Sequence, residues 1–219
     1  MHLLAFHSAM ALTAAAPQPQ RVLCYGDSLT AGTSPPLEEL YPYAPTLEQA
    51  VGPAAAMVRH RGLPGATAAM MLQCADDDQR GLRALLQKAS PALSIILAGT
   101  NDLGFESTSD PIVRSVIGLH EIAHALNVHT IAVGIPPSAY QHTQSEAAEL
   151  CSLVNRELRA WCLERSEVCS YVDHPIRDWA PADPRWAPDG LHFSPEGYRT
   201  VGMELAGIVN ERLAIRKGS

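Results

Sequence analysis

Apolar and polar positions along the chain form two alternating kinds of segment. Five short apolar runs, each closed by Gly, Pro, Asp or Asn, have the pattern of parallel strands covered on both faces. These runs span residues 21–26, 54–59, 93–98, 130–135 and 168–172. Between them, apolar residues recur every three or four positions, which predicts amphipathic helices. The helices are expected at residues 79–89, 111–126 and 145–165 and after Ser194.

Helix-start signals precede these segments. Asp110 and Ser194 each stand before a proline, the arrangement of an N-cap followed by proline in the first turn. Thr143 and Glu146 have the spacing of a capping box ahead of the helix at 145–165. The aspartates at 76–78 are available to cap the helix at 79–89.

The alternation of strands and helices predicts right-handed βαβ units and a parallel sheet between two helical layers. We therefore expect one three-layer α/β/α domain with a five-stranded parallel sheet over residues 21–215. Residues 1–20 are expected to form an N-terminal extension. Its apolar run ends in three alanines, as before a signal-peptide cleavage site, but no Lys or Arg precedes that run. A cytoplasmic location is favoured, and secretion is the alternative.

Composition narrows the classes of partner and cofactor. A net charge of −7 argues against nucleic acid or an anionic membrane as a partner. Apolar runs stay well below the roughly 20 residues that a membrane-spanning helix needs. The five cysteines form no Cys-x-x-Cys pair, so a thiol-rich metal site is not expected. Up to two disulfides are conceivable if the protein is exported.

A candidate nucleophile ends the first strand. Gly26-Asp27-Ser28 places a serine hydroxyl at the carboxyl edge of the sheet, where α/β proteins bind ligands. A serine becomes nucleophilic when a base removes its proton and a third group orients that base. Asp189 and His192, three residues apart before the last helix, can form such a pair within one turn. Taken alone, the pair is more typical of a capped helix entrance with a surface histidine.

Acyl transfer also needs hydrogen-bond donors for the oxyanion. Asn101 follows the third strand, and a side-chain amide at that position is well placed to donate. A glycine after the second strand, Gly62 or Gly65, can bring a backbone N–H close to a ligand. Both segments could also be ordinary turns.

Four segments, in this order along the chain, resemble the motifs of the SGNH, or GDSL-type, hydrolase family. They are Gly26-Asp27-Ser28-Leu29, Pro64-Gly65-Ala66-Thr67, Gly99-Thr100-Asn101-Asp102 and Asp189-Gly190-Leu191-His192. The second segment matches less closely, because Ala66 stands where the family frequently has Asp. We favour Gly65 over Gly62 as the donor because of its position before Ala66-Thr67.

The resemblance implies a flavodoxin-like fold and a serine esterase. Ser28 would attack the acyl carbon, His192 would act as general base and then as general acid, and Asp189 would orient His192. The N–H groups of Ser28 and Gly65, with the Asn101 amide, would form the oxyanion hole. The reaction requires no metal or cofactor.

Two other functions compete with this interpretation. His120-Glu121-Ile122-Ala123-His124 fits the His-Glu-x-x-His signature of zinc proteases and lies on a predicted helix. The motif is short enough to occur by chance, and Asn127 replaces the glycine of the extended signature, so a solvated helix face is favoured. A non-catalytic flavodoxin-like binding module is the third hypothesis, and the presence of both Ser28 and His192 argues against it.

Five side chains in loops near the predicted site are candidates for contact with the substrate. They are Leu37, Tyr41, Phe105, Tyr140 and Trp186. Packing of long loops explains them equally well. The loops at the strand ends are short, which predicts an open, shallow site that favours small-molecule esters with small acyl groups. Simple esters are expected first, acetylated carbohydrates second and acyl thioesters third, since the acidic chain repels anionic thioesters.

Overall fold

Five parallel strands form a single sheet in the computed structural model, which describes residues 18–217 and the side chains of residues 18–215. The order across the sheet is β2-β1-β3-β4-β5. The strands are β1 (Gln20–Gly26), β2 (Ala56–Gly62), β3 (Leu93–Leu97), β4 (His129–Val133) and β5 (Cys169–Val172). The predicted α/β class with a five-stranded parallel sheet is confirmed. Residues 1–17 of the predicted extension lie outside the described residues.

Eight α-helices and one 3₁₀ turn (Asn101–Gly104) connect and follow the strands within the described residues. The helices are α1 (Ser28–Ala31), α2 (Ala44–Val51), α3 (Ala68–Gln73), α4 (Leu82–Ala89), α5 (Ser109–Ala125), α6 (Ala139–Thr143), α7 (Ser145–Leu163) and α8 (Pro195–Lys217).

Side chains of β1 alternate between two hydrophobic cores, as the two-residue period of a strand requires. Val22 and Cys24 face the core that contains α2 and α8. Leu23 and Tyr25 face the core that contains α3, α4, α5 and α7. The sheet therefore lies between two helical layers, as the alternation of strands and helices predicts.

The strand order reverses direction at β1. The chain leaves β1 for β2 on one side and returns to β3 on the other, and ligands bind above such a switch point in open α/β sheets. Gly26 pairs with Leu97 where β1 and β3 end. A Cβ atom at Gly26 would overlap the carbonyl oxygen of Leu97, so the segments that follow both strands start close together.

The predicted second strand is shifted along the chain. β2 begins at Ala56 and continues to Gly62, three residues past the predicted end. Its last part carries the exposed side chains of Arg59, His60 and Arg61, because β2 is an edge strand. An apolar pattern cannot detect residues that pair through the backbone alone.

Two of the predicted helix starts are wrong. Thr108, not Asp110, is the N-cap of α5, so the Asp110 carboxylate lies in the first turn, where it complements the helix dipole. The predicted capping box of α7 does not form. The Thr143 hydroxyl instead donates to the Ala139 carbonyl oxygen over 3.0 Å. Thr143 is the last residue of the short helix α6. Gln144 occupies the N-cap of α7.

The remaining helix signals have mixed outcomes. Ser194 caps α8 as predicted, since its Oγ atom accepts the N–H of Gly197 over 3.2 Å. α4 begins only at Leu82 behind Gly81, so the aspartates at 76–78 lie in the preceding turns. The pattern does not predict α2 or α3, which are too short to show a repeating apolar face.

Candidate active site

Ser28 begins the single turn of α1 immediately beyond β1. Its neighbour Asp27 holds this turn in place, because the Asp27 carboxylate accepts the N–H of Leu29 over 2.9 Å. Ser28 is 6% exposed, so the residue is nearly buried and does not lie on a protruding loop. Gly62 packs against the same turn, and a Cβ atom there would overlap the backbone of Ala31.

Three side chains predicted for catalysis form one continuous hydrogen-bonded chain. The Nε2 atom of His192 lies 2.9 Å from the Oγ atom of Ser28. The Nδ1 atom of His192 lies 2.6 Å from Oδ2 of Asp189. An ionised carboxylate only accepts hydrogen bonds, so Nδ1 carries the proton and Nε2 presents a lone pair to the Ser28 hydroxyl. This orientation of the imidazole is the one that a general base for Ser28 requires.

The turn that carries Asp189 and His192 is organised around the Asp189 carboxylate. Its Oδ1 atom accepts the N–H groups of Leu191 and His192, each over 3.0 Å. Gly190 adopts a φ of 67°, and a Cβ atom there would come within 2.6 Å of the Ala139 side chain. A glycine is therefore needed both for the backbone conformation and for the contact with α6.

The same hydrogen bonds determine the charge of Asp189. Burial acts to raise the pKa of the Asp189 carboxyl and is the largest single influence. The hydrogen bonds from the His192 ring and from the N–H groups of His192 and Leu191 outweigh it, and the pKa lies below its usual value. Asp189 is therefore an anion at neutral pH and can stabilise a protonated His192.

Contacts to the rest of the domain hold this turn over Ser28. The N–H of Ala187 donates to the His192 carbonyl oxygen over 2.8 Å. Phe193, which follows His192, is buried, and its ring packs 4.8 Å from that of Trp186 and 5.4 Å from that of Tyr198. The Tyr198 hydroxyl in turn donates to the Thr33 carbonyl oxygen in the loop after α1. His192 and Ser28 are thus attached to a common core.

The segments that carry Asn101 and Gly65 are bonded to each other. The Asn101 amide donates to the Ala66 carbonyl oxygen over 2.9 Å. The Asp102 carboxylate accepts the N–H of Ala68 at the start of α3 over 2.9 Å. Leu63 donates its N–H to the Gly26 carbonyl oxygen, which ties the glycine segment to the end of β1. All three segments therefore meet at the switch point.

Gly62 and Gly65 have different environments. Gly62 ends β2 and packs tightly on α1, as described above. Gly65 adopts a φ of 77°, and the space where its side chain would project is open. It also lines an open groove of about 560 Å³ together with Met70, Cys74 and Arg80. These differences favour Gly65 as the glycine that faces a ligand.

Buried carboxyls lie below the nucleophile. Asp27 is fully buried, and loss of hydration raises the pKa of its carboxyl to about 7. The N–H of Leu29 opposes this rise, and the neighbouring Asp102 adds to it. Burial likewise raises the pKa of Asp102, against the stabilising N–H of Ala68. The Asp102 carboxylate ties its turn to the start of α3, whereas the hydrogen bond of Asp27 to Leu29 stays within one turn.

The five candidate substrate contacts occupy different places. Phe105 and Tyr140 are 80% and 48% exposed and line one cleft of about 230 Å³. Tyr140 follows Ala139, which touches the Gly190 turn, and Phe105 follows the 3₁₀ turn of Asn101. Leu37 is exposed in the loop after α1.

The other two aromatic candidates are engaged within the protein. The Tyr41 hydroxyl donates to Glu39 over 3.0 Å in the loop after α1. Trp186 is 8% exposed, and its Nε1 atom donates to the Asp178 carbonyl oxygen. The Trp186 ring also packs against that of Phe193, so the Trp186 side chain is held on both its ring and its Nε1 atom.

Sequence reasoning did not identify the residues that line the groove beside Gly65. Met70 is 54% exposed on α3, and Arg80 lies in the turn before α4. Neither position carries a motif. The signal that could have located α3 is Thr67, whose hydroxyl oxygen accepts the N–H of Met70 and caps the helix.

The His-Glu-x-x-His segment does not have a zinc-protease arrangement, and it is not the predicted solvated face. His120 is fully buried and His124 is half-buried, whereas Glu121 is exposed. The carboxylate required as base in a zinc protease therefore points away from the two imidazoles.

Comparison with known proteins agrees with this fold. The sequence model of the "GDSL-like Lipase/Acylhydrolase family" matches residues 24–200. The chain belongs to this family. Its enzyme class is therefore that of the hydrolases that act on ester bonds. No protein of curated function matches the chain significantly.

Solved structures of GDSL-type hydrolases share the fold at low sequence identity. A GDSL-like lipase from Bacteroides thetaiotaomicron is 20% identical, with a TM-score of 0.64 and coverage of 94% of each chain. A family 3 carbohydrate esterase from Clostridium thermocellum is 16% identical, with a TM-score of 0.67 and coverage of 90% of this chain and 99% of the other. A mutant acetyl esterase with an acetate ion is 18% identical, with a TM-score of 0.62 and coverage of 91% and 100%.

One further property concerns membranes. Within residues 18–217, every helix is too short or too polar to cross a bilayer.

Proposed function

We propose that this GDSL-type hydrolase is a serine esterase that cleaves carboxylic esters with small acyl groups through Ser28, His192 and Asp189. The observation that carries the proposal is the continuous hydrogen-bonded chain through both nitrogens of His192, with distances of 2.9 Å to Ser28 and 2.6 Å to Asp189. This arrangement has a nucleophile, a base and an orienting anion in the order that acyl transfer requires.

The reaction proceeds in two halves. His192 Nε2 takes the proton of Ser28 as Oγ attacks the acyl carbon, and the resulting imidazolium then gives that proton to the departing alcohol oxygen. Water enters, loses a proton to the same nitrogen and attacks the acyl-enzyme, and His192 returns the proton to Ser28 Oγ as the acid leaves. Asp189 stabilises the imidazolium in both halves.

The oxyanion hole is proposed from three donors, the N–H groups of Ser28 and Gly65 and the Asn101 amide. The Asn101 amide gives one N–H to the Ala66 carbonyl oxygen and retains a second N–H for the substrate. Its bond to Ala66 fixes the amide before substrate arrives. Such preorganised donors stabilise the transition state more than the ground state.

A preference for small acyl groups is supported by two clefts that adjoin the segments of the proposed oxyanion donors Gly65 and Asn101. The groove beside Gly65 and the cleft between Phe105 and Tyr140 are both open to solvent. A long acyl chain gains its affinity from burial of methylene groups, roughly 0.8 kcal/mol for each one that is fully buried. Open clefts of this kind bury few of them, so chain length adds little to binding.

An acetylated carbohydrate is the second candidate substrate. The exposed rings of Phe105 and Tyr140 line one cleft beside the Asn101 and Gly190 turns. Aromatic faces are apolar surfaces with fixed geometry, which suits the flat apolar face of a sugar ring. A role for these rings in recognition of the alcohol group would distinguish a carbohydrate deacetylase from an esterase for simple alkyl or aryl esters.

A substrate panel tests the proposal. Purified protein is assayed on aryl esters of increasing acyl length, on acetylated sugars and on acyl thioesters, with Ser28→Ala as the inactive control. We expect the highest kcat/KM on acetyl or propionyl esters, survival of activity in chelator, and loss of at least about 10⁴-fold in Ser28→Ala. A maximum at long acyl chains, or activity that persists in Ser28→Ala, would contradict the proposal.

A second variant tests the recognition of the alcohol group. Phe105→Ala combined with Tyr140→Ala should raise KM for acetylated sugars and leave acetyl aryl ester hydrolysis nearly unchanged if the rings contact a sugar. Leu163→Ala, at an exposed apolar residue at the far end of α7, is the matched control. Equal effects on both substrates would exclude the carbohydrate candidate.

A further inference from the structure

Two histidines and two cysteines converge at a second location, away from Ser28. One ligand atom from each of His120, His124 and Cys169 lies within 4.8 Å of the others. The Sγ atom of Cys162 lies 2.9 Å from that of Cys169. Three side chains that bind transition metals therefore surround one point, and Cys162 adjoins them through its contact with Cys169, although the sequence contains no Cys-x-x-Cys pair.

The cluster is unusual because it buries an imidazole that has no hydrogen-bond partner among the described residues. His120 is 0% exposed, Cys169 1% and Cys162 2%. Neither ring nitrogen of His120 has a hydrogen-bond partner among the described residues. Buried imidazoles normally have such partners, because an unpaired polar group in the interior loses its hydration without compensation. The ring nitrogens of His120 therefore lack a partner in the described part of the chain, and a metal ion would supply one.

Rigid elements position the four side chains. His120 and His124 are one helical turn apart on α5, so both imidazoles lie on one face of that helix. Cys162 lies in the last turn of α7, and Cys169 is the first residue of β5. Since α5 and α7 both pack on the same face of the sheet, their contact brings the imidazoles to the two sulfurs.

Neighbouring side chains orient the cluster. The Trp161 ring lies parallel to that of His124 at 5.8 Å and tilted to that of His120 at 5.6 Å. The Thr130 hydroxyl is 2.9 Å from Nε2 of His124 and donates to the Cys169 sulfur over 3.3 Å. The Thr130 hydroxyl can therefore accept the Nε2–H of His124 and leave Nδ1 for a metal ion, a common role of groups just outside a metal site.

We propose that His120, His124, Cys162 and Cys169 form a binding site for one Zn²⁺ ion. Two imidazole nitrogens and two thiolates are the donor set that zinc takes in closed tetrahedral structural sites. Two sulfurs that are each about 2.3 Å from a tetrahedral ion lie about 3.7 Å apart, so Cys162 and Cys169 separate by less than about 1 Å on binding. Binding releases both thiol protons to solvent, and both histidines bind in the neutral form.

A Cys162–Cys169 disulfide is the principal alternative, and the histidines argue against it. A disulfide would use both sulfurs and leave the ring nitrogens of His120 without a partner. A metal ion satisfies all four side chains at once. A disulfide and a bound metal ion therefore differ in whether the two histidines are ligands.

The site is structural rather than catalytic. Four protein ligands leave no position for water or substrate. Cys169 begins β5 and Thr130 is the second residue of β4, so the cluster lies at the amino ends of parallel strands, whereas Ser28 follows the carboxyl end of β1. The metal would fasten α5 and α7 to the sheet at the end opposite the triad.

Cobalt binding tests the site directly, because Co²⁺ replaces Zn²⁺ in such sites and absorbs visible light. Reduced, metal-free protein is titrated with Co²⁺. We expect an endpoint at one ion per chain, an intense tetrahedral d–d spectrum, a near-ultraviolet sulfur-to-cobalt charge-transfer band, and loss of all of these on addition of Zn²⁺. Zn²⁺ should also raise Tm. A weak octahedral spectrum without the charge-transfer band would overturn the proposal.

Variants identify the ligands. Cys169→Ser and His120→Gln should each lose the tetrahedral spectrum, whereas the matched variants Cys74→Ser and His142→Gln, outside the cluster, should keep it. Retention of the wild-type spectrum in Cys169→Ser or His120→Gln would refute the assignment. Ester hydrolysis measured on the same samples is a separate readout, so failure of the metal site and failure of the esterase proposal are distinguishable.

A thiol count addresses the disulfide. Unreduced protein is denatured in chelator and titrated with a thiol reagent. Five reactive thiols, the full cysteine content of the chain, are expected from a zinc site. Three reactive thiols, with no Co²⁺ uptake after reduction, would establish a disulfide and overturn the proposal.

Discussion

The Nε2 atom of His192 lies 2.9 Å from the Oγ atom of Ser28, although 164 residues separate them in the chain. Ser28 follows the carboxyl end of β1, and His192 lies in the turn before α8. The contact depends on the packing of α8 against α2, which buries Val201, Leu205 and Val209 together with Leu47. The candidate site is therefore a product of the whole α8 layer and not of its loops alone.

Asp189→Asn tests the orienting role of the carboxylate. The amide can donate where the anion only accepts, so it favours the wrong imidazole tautomer and removes the charge that stabilises the imidazolium. We expect kcat to fall by on the order of 10³–10⁴-fold while KM changes little. Steady-state kinetics measure this, and Asp178→Asn, an exposed aspartate nearby, is the matched control that should stay within about twofold.

Asn101→Ala tests the proposed oxyanion donor. Removal of one such donor usually lowers kcat by about 10²–10³-fold, with little change in KM, because the donor acts mainly in the transition state. The Asn101 amide also bonds to Ala66, so Tm must be measured beside the kinetics. An increase in KM at constant kcat would show that Asn101 binds the ground state, contrary to this expectation.

The buried strands and the triad motif could be predicted from sequence because each leaves a local signal. A strand covered on both faces is apolar throughout, as in Leu93–Leu97, and the Gly26-Asp27-Ser28 and Asp189–His192 segments are short and characteristic. The order of the strands could not be predicted, because each buried parallel strand has the same pattern and the order depends on which helices cover which face.

The cysteine and histidine cluster left no readable local signal beyond the spacing of His120 and His124. Cys162 and Cys169 lie on different elements, and only the contact between α5, α7 and β5 brings them to His120. Helix periodicity assigned His120 to a solvated face, since an imidazole counts as polar. The structure buries it completely, because α7 covers that side of α5.

Gly62→Ala tests how closely β2 supports the nucleophile. A Cβ atom there would overlap the backbone of Ala31, the last residue of the turn that Ser28 begins. Since backbone atoms cannot move aside cheaply, we expect a loss of about 1–3 kcal/mol in the free energy of unfolding and a lower kcat from displacement of Ser28. Denaturant unfolding and kinetics measure the two effects.

Gly207→Ala is the matched control for this substitution. Gly207 lies in α8, is exposed, and has open space where a Cβ atom would be built. Alanine favours the helix over glycine, so the free energy of unfolding should rise by about 0.5–1 kcal/mol with kcat unchanged. Equal destabilisation by both substitutions would show that the contact with Ala31 is not responsible.

Asp27→Asn tests the buried carboxyl beside the nucleophile through the pH dependence of stability. Burial raises the pKa of Asp27 to about 7 in the folded protein, whereas in the unfolded chain it is about 4. Between these values the folded state binds more protons than the unfolded state. The contribution of Asp27 to the free energy of unfolding therefore falls as pH rises from about 4 to about 7, and the loss remains at higher pH.

An amide is neutral at every pH, so Asp27→Asn removes this loss. Its oxygen can still accept the N–H of Leu29, the hydrogen bond that caps α1. We expect the Tm of Asp27→Asn to exceed that of the wild type by several degrees at pH 8, and the difference to shrink towards pH 4. Thermal unfolding across this range measures it. A difference independent of pH would mean that Asp27 does not titrate inside the window, and lower stability at pH 8 would show that the charged carboxylate is favourable in its buried position.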